Sequence, residues 1–162
     1  MEAADRGAAP ESREDRIAMK PTPLELLRKS AADELLAEIA PENMETAPSA
    51  GEMMSFLAKS PESRTAEEIA KYGEMESTIR SIVDDAAAEV TGVLTETAPS
   101  PMVKALTIDV AVFRCYGRSV TETVEKRYHA AVAQMERYNQ RFFKNEAADM
   151  EFHNSESERF AW

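Results

Sequence analysis

Cysteine is nearly missing from this sequence: Cys115 is the only one among 162 residues. That excludes an internal disulfide and a cysteine-ligated metal cluster, and Cys115 reads as a small apolar side chain on a buried helix. Glycine is scarce too. Its five residues stand apart from one another, so no glycine-rich loop is present to cradle a phosphate. Without period-two alternation, hairpins have no support either. Positive charge is the minority sign, 19 Lys and Arg against 30 Asp and Glu, for a net charge of −11. No basic stripe offsets it, which argues against tight binding to nucleic-acid phosphates and leaves DNA at most as something an acidic wall repels. Long apolar runs are absent: nothing reaches the ~20 residues of a membrane span, and the first twenty residues hold no apolar signal core. The expectation is a soluble chain made in a reducing compartment, with no membrane partner.

The polar residues that are present do not converge on chemistry. Asp84 and Asp85 are adjacent, and neighbours on a helix point about 100° apart. They make a solvated face, whereas an acid–base pair needs a pocket that shifts one pKa. His129 and His153 are the only histidines and lack the spacing of a helical metal pair. Serines fall at helix starts and near the end of the chain, with no base beside them. Asp109 is the exception, an aspartate inside the apolar stretch SPMVKALTIDVAVFRCYGR. It either faces water on a thin stripe, accepts a buried backbone hydrogen bond, or is paired, because a buried unpaired charge is costly. A buried ion pair with Arg114 is expected, with Lys104 or an arginine of a neighbouring chain as the other candidates. No catalytic residue, metal ligand or cofactor is expected, and the chain does not read as an enzyme.

Helix signals are what the sequence has in quantity. The expected fold class is all-α, a small helical bundle with extended N- and C-terminal arms. Residues 1–20 have no apolar period and too little apolar surface to offset ordering entropy, so they form an arm that is disordered or ordered by a partner. The helical domain spans 21–143. Thr22, Pro23 and Glu25 make a capping box with proline at the first helical position. Leu24, Leu27, Ala31, Leu35 and Ile39 then share a face, and Ser30 and Asp33 are candidate caps for a second short turn. One helix, or two short ones, is predicted over Pro23–Ala40. Residues 41–65 are an inserted, proline-punctuated connector. Within it Met53, Met54, Phe56 and Leu57 form a helical turn that packs into a groove or meets a partner.

A second capping box, Thr65 with Glu68, opens a long amphipathic helix ending near Leu94. Gly73 costs it about 1 kcal/mol relative to alanine and marks a place for a bend. Glu67–Lys71 and Glu76–Arg80 are favourable pairs on its wet side. Pro99 and Pro101 force a turn, Ser100 caps the next helix and Gly117 ends it. That helix is apolar almost all round and should be buried on most sides. In the last helix Val124, Tyr128, Ala131, Met135, Tyr138 and Phe142 recur at steps of four and three. Such a heptad-like seam serves either the bundle or a second subunit. Residues 144–162 form a spacer-like acidic arm, able to span about 60 Å if fully extended. Phe152, Phe160 and Trp162 are its candidate anchors for a partner's pocket.

Three segments occur in a telling order. IRSIVDDAAAEVTGVL precedes a proline turn, PMVKALTIDVAVFRCYGR follows it, and ETVEKRYHAAVAQMERY comes last. The pattern, carried by Lys104, Leu106, Asp109, Val110, Ala111, Phe113 and Tyr116 and then by Arg127, Tyr128 and Ala131, resembles the head–tail connector proteins of Mu-like phages. PLELLRKSAADELLAEI is similar to the family's opening pair of short helices. The segment Pro41–Tyr72 is longer than the family pattern, and the proline loop is shorter. The resemblance implies a small helical protein that assembles as a ring, usually of twelve copies, beneath the portal at the virion neck. Such a ring extends the DNA exit channel, with DNA only as passing cargo, and offers a docking surface to a tail-side stopper or terminator protein. The implied partners are further copies of the chain and the portal; the tail after Asn145 has no counterpart in the family pattern, and its aromatics are read as a portal anchor from their residue types alone. The alternative is a cytosolic helical regulator that dimerises through the 124–142 seam.

Overall fold

The computed structural model describes residues 19–95 and 97–159, with side chains as far as Met150. Among the described residues all regular structure is helical: α1 (Pro23–Arg28), α2 (Ala32–Ile39), α3 (Ala50–Ala58), a 3₁₀ turn (Pro61–Ser63), α4 (Ala66–Val93), α5 (Ser100–Tyr116) and α6 (Glu122–Arg159).

Three helix starts are fixed by the same device. Thr22, Ser49 and Thr65 each accept from the backbone three residues on, and Glu25, Glu52 and Glu68 each reach back to the cap amide. Two orphan donors are satisfied per start. The first segment resolves into two helices, because Lys29 bonds back to α1 and Ser30 Oγ donates to the Leu27 carbonyl. Asp33 caps a different helix: its Oδ1 accepts from the Ala50 amide, 2.7 Å away, at the start of α3. The inserted connector thus carries a nine-residue helix that buries Met53 and Phe56.

α5 is the hub. It packs against α4 and α6 along its length and against α1 and α2 on its remaining side, which is why its apolar residues run nearly all round. Leu106, Val110, Ala111 and Val112 are buried there with Met75, Ile79 and Val90 of α4 and Leu26, Leu35 and Leu36 of the short helices. Cys115 is buried in this core, and its thiol is pushed up to about 12 by that burial. Gly117 ends α5 with φ of +52°, a backbone setting that disfavours side chains.

Two expectations about α4 are corrected. The helix runs unbroken through Gly73, because the buried positions on either side continue one face and the loss of one methyl does not outweigh them. A Cβ at Gly73 would meet only the Ile69 side chain at an ordinary 3.6 Å. Gly73→Ala should therefore stabilise the protein by about 0.5–1 kcal/mol, read as a higher urea midpoint with an unchanged slope. Glu76 is not on the wet side. It is buried at 8% exposure, where its carboxylate takes Arg64 Nη1 and Arg80 Nη2, each at 2.8 Å.

The C-terminal arm is helical rather than a loose strap: α6 continues without interruption to Arg159. No proline or glycine lies between Lys144 and Arg159, and Ala, Glu, Lys, Met and Arg favour helix. The reach of those sixteen residues is accordingly about 24 Å at 1.5 Å per residue. Every residue from Phe143 to Met150 is exposed, so this part of the helix lies off the body.

Candidate functional site

The residues that carried the family resemblance meet in one place, where α6 crosses α5. Asp109 on α5 accepts from Arg127 Nε on α6, and Arg127 Nη1 donates 2.9 Å to the Lys29 carbonyl at the end of α1. Lys104, one turn earlier on α5, pairs with Glu25 of α1 at 2.6 Å. Burial alone would raise the Glu25 pKa, but Lys104 and the Thr22 amide hold its carboxyl below the usual value. Phe113 stacks on Tyr128 with ring centroids 4.0 Å apart. The Tyr128 hydroxyl donates 3.4 Å to Glu89 of α4, whose other oxygen takes Arg114 at 2.5 Å. Burial, then the Glu89 charge, push the Tyr128 phenol up. Leu106, Val110, Ala111, Tyr116 and Ala131 fill the apolar layer beneath. These charged and aromatic contacts clasp four helices together.

The expected Asp109–Arg114 ion pair is corrected by this geometry. Arg114 points toward α4 and Glu89, while Asp109 points toward α6 and Arg127. Residues five apart on a helix are rotated by about 140° and cannot face each other. Asp109 is also half-buried, its side chain 24% exposed, rather than sealed in the core.

The seam of α6 is used inside the subunit. Val124, Ala131 and Met135 are buried, and Tyr128 and Tyr138 are half-buried against the same core; Phe142, half-buried where the seam ends, meets Phe143 edge-on. Below the clasp, Asn139 Nδ2 donates 2.8 Å to the Val93 carbonyl and its Oδ1 accepts from the Thr95 amide at 3.4 Å. Tyr138 Oη lies 3.2 Å from Thr97 Oγ1. The seam thus ties α6 to the end of α4 and to the proline turn.

Two grooves open along α6. One, of about 330 Å³, lies between α2, α5 and the start of α6 and is lined by Glu34, Val112, Tyr116, Val124 and Arg127. The other, of about 440 Å³, is lined by Met102 and by Ala130, Gln134, Arg137, Tyr138 and Arg141. The first is lined also by Thr121 and Thr123, and neither is lined by a histidine or a cysteine. Asp84 and Asp85 are exposed on α4, where Lys20 pairs with Asp84 at 3.0 Å. His129 is exposed beside Glu125. No group of three metal-ligating side chains occurs among the described residues, and no described helix is long and apolar enough to cross a membrane.

Two features had no place in the sequence-based expectation. One is the arrival of Arg64 at the expected Glu76–Arg80 pair, with the Arg64 guanidinium 4.3 Å over the Phe56 ring. The other is the exposure of Phe143 and Met150, at 61% and 65%. The anchors proposed for the tail are not placed: the Phe152 side chain, Phe160 and Trp162 lie outside the described residues.

Fold and clasp together define a small all-helical bundle whose motif residues hold helices to one another, with one helix carried out past the body. A family model described as Bacteriophage Mu, Gp36 matches residues 27–144, well over half of the chain. The chain belongs to that family and is a bacteriophage protein. No curated protein and no solved structure matches it. The family match ends one residue after Phe143, where α6 leaves the body.

Proposed function

We propose that this chain is a structural virion protein, a head-to-tail connector that forms a ring of twelve copies beneath the portal. In this role it is not an enzyme and carries no cofactor. It is made in the host cytoplasm, comes to rest at the virion neck, extends the DNA channel, and presents a surface to a tail-side stopper or terminator protein. The observation that carries this reading is how the motif residues are used. Lys104, Asp109, Phe113, Arg127 and Tyr128 are engaged in holding α1, α5 and α6 together. A chain whose motif residues build a scaffold is one whose work lies on its outer surface. That surface includes a helix projecting with apolar side chains in water, a part suited to being covered by protein. The net charge of −11 also suits a channel wall that DNA slides past without adhering.

A dimeric regulator using the 124–142 seam has less support, since Val124, Ala131 and Met135 are already enclosed within one subunit. The connector reading expects a helical monomer in isolation that forms a ring when portal protein is added. Weak individual contacts multiplied by ring symmetry give that behaviour. Light scattering on the purified chain mixed with purified portal at micromolar concentration checks it, and the absence of any complex would remove the reading.

A further inference from the structure

We propose that the outer stretch of α6 in one copy of this chain docks head to tail into the Met102/Arg137/Arg141 groove of the next copy. This deepens the connector reading and rests on it for closure into a ring.

The two surfaces are complementary in kind. Phe143, Ala147 and Met150 recur at steps of four and three and are all exposed, forming one stripe on the projecting helix. Glu136 and Glu146 flank that stripe, both exposed. Val93, at 48% exposure, extends it onto the body, since Asn139 binds the Val93 carbonyl one turn before Phe143. The groove offers the reverse, with Met102, Ala130 and Tyr138 as its apolar floor and Arg137 and Arg141 at its rim. Arg137 Nε is engaged only with the Ala133 carbonyl of its own helix. Neither arginine has a carboxylate partner among the described residues.

Position decides the occupant. At 100° per residue the stripe and the groove's α6 residues face directions about 155° apart, on opposite flanks of one helix, so no subunit can dock its own stripe. Pairing stripe with stripe sets glutamates against glutamates, and groove with groove sets arginines against arginines. Only stripe on groove brings opposite charges together. A contact between two different patches of identical chains is heterologous, and heterologous contacts generate rings or filaments rather than two-fold dimers. The centres of the two patches are displaced along α6 by about 16 Å, so α6 helices of neighbouring copies are staggered and a closed ring requires them to tilt.

The test uses two full-length variants, Met150→Cys and Gln134→Cys, mixed in the presence of portal protein under mild oxidation. Cys115 does not compete because it is buried. The mixed disulfide should form roughly tenfold faster than between Met150→Cys and a Ser81→Cys control on α4, through the raised local concentration of docked chains. Arg141→Glu added to the Gln134→Cys chain should bring the rate down toward the control. Cross-linking no faster than the control overturns this interface, and if wild-type chain still assembles on portal, the ring reading survives by another contact. Fast cross-linking without assembly on portal upholds the interface and sinks the ring reading.

Discussion

Glu76→Ala should lower the stability of this protein by about 3 kcal/mol or more. The carboxylate is buried at 8% exposure and takes two guanidinium groups, so its removal does not act on both alike. Arg80 is 60% exposed and returns to water, where losing a surface partner costs at most about 1 kcal/mol. Arg64 is only 11% exposed, lies over the Phe56 ring, and its Nε already lacks a partner. Without Glu76 it is left as an uncompensated buried charge, a loss that costs about 3–5 kcal/mol when one member of a buried pair is deleted. The attraction between the partners is not itself the source of the figure. The paired replacement Arg64→Met with Glu76→Leu should come close to wild type, since apolar groups of similar volume often substitute for a buried ion pair without loss. Urea unfolding of both proteins decides the matter. A Glu76→Ala chain within about 0.5 kcal/mol of wild type, the scatter of ordinary surface changes, would show that Arg64 is free to leave.

Removing Lys144–Trp162 should abolish assembly on portal while leaving the body nearly as stable as before. Residues 144–150 are exposed without exception, so their loss uncovers little apolar surface. Changes confined to the surface stay within about 0.5 kcal/mol, or one to two degrees in Tm for a chain of this size. Helical ellipticity should fall only by the share of the residues removed. The loss of assembly follows because Ala147 and Met150 go with the deletion and Phe143 becomes the frayed end of a helix. A fall of ten degrees in Tm would mean that the removed residues belong to the core. An unchanged ring on portal would mean that the projecting helix has no part in assembly.

Much of this fold was legible from local rules. Capping boxes at Thr22 and Thr65, Gly117 at the end of α5, and the buried α5 itself all follow from spacing and residue type. Ser49 with Glu52 obeys the same rule, but the helix it opens is only nine residues long and lies between Pro48 and Pro61, so its apolar period is short. Asp109 shows where local rules stop. Its need for a cation was plain, yet which arginine answers depends on the crossing of α5 and α6, and Arg127 lies eighteen positions away. Glu76 is a similar case. The i, i+4 partner Arg80 was visible, whereas Arg64, which arrives from the inserted segment and explains the burial, was not. The stripe at Phe143, Ala147 and Met150 keeps the four- and three-residue spacing, but Lys144, Asn145, Glu146 and Asp149 around it give the segment the composition of a polar tail.

α6 belongs to two environments at once. It is a single rod of 38 residues, about 57 Å long, gripped toward one end by Arg127 and Tyr128 and exposed at every residue from Phe143 to Met150. A helix neither stretches nor folds easily, so tension applied to its outer half reaches the inner grip with little loss. A load on the outer half of α6 is therefore shared by the contacts that hold its inner half, from the Asn139–Val93 and Tyr138–Thr97 contacts to the Asp109–Arg127 pair and the Phe113–Tyr128 stack.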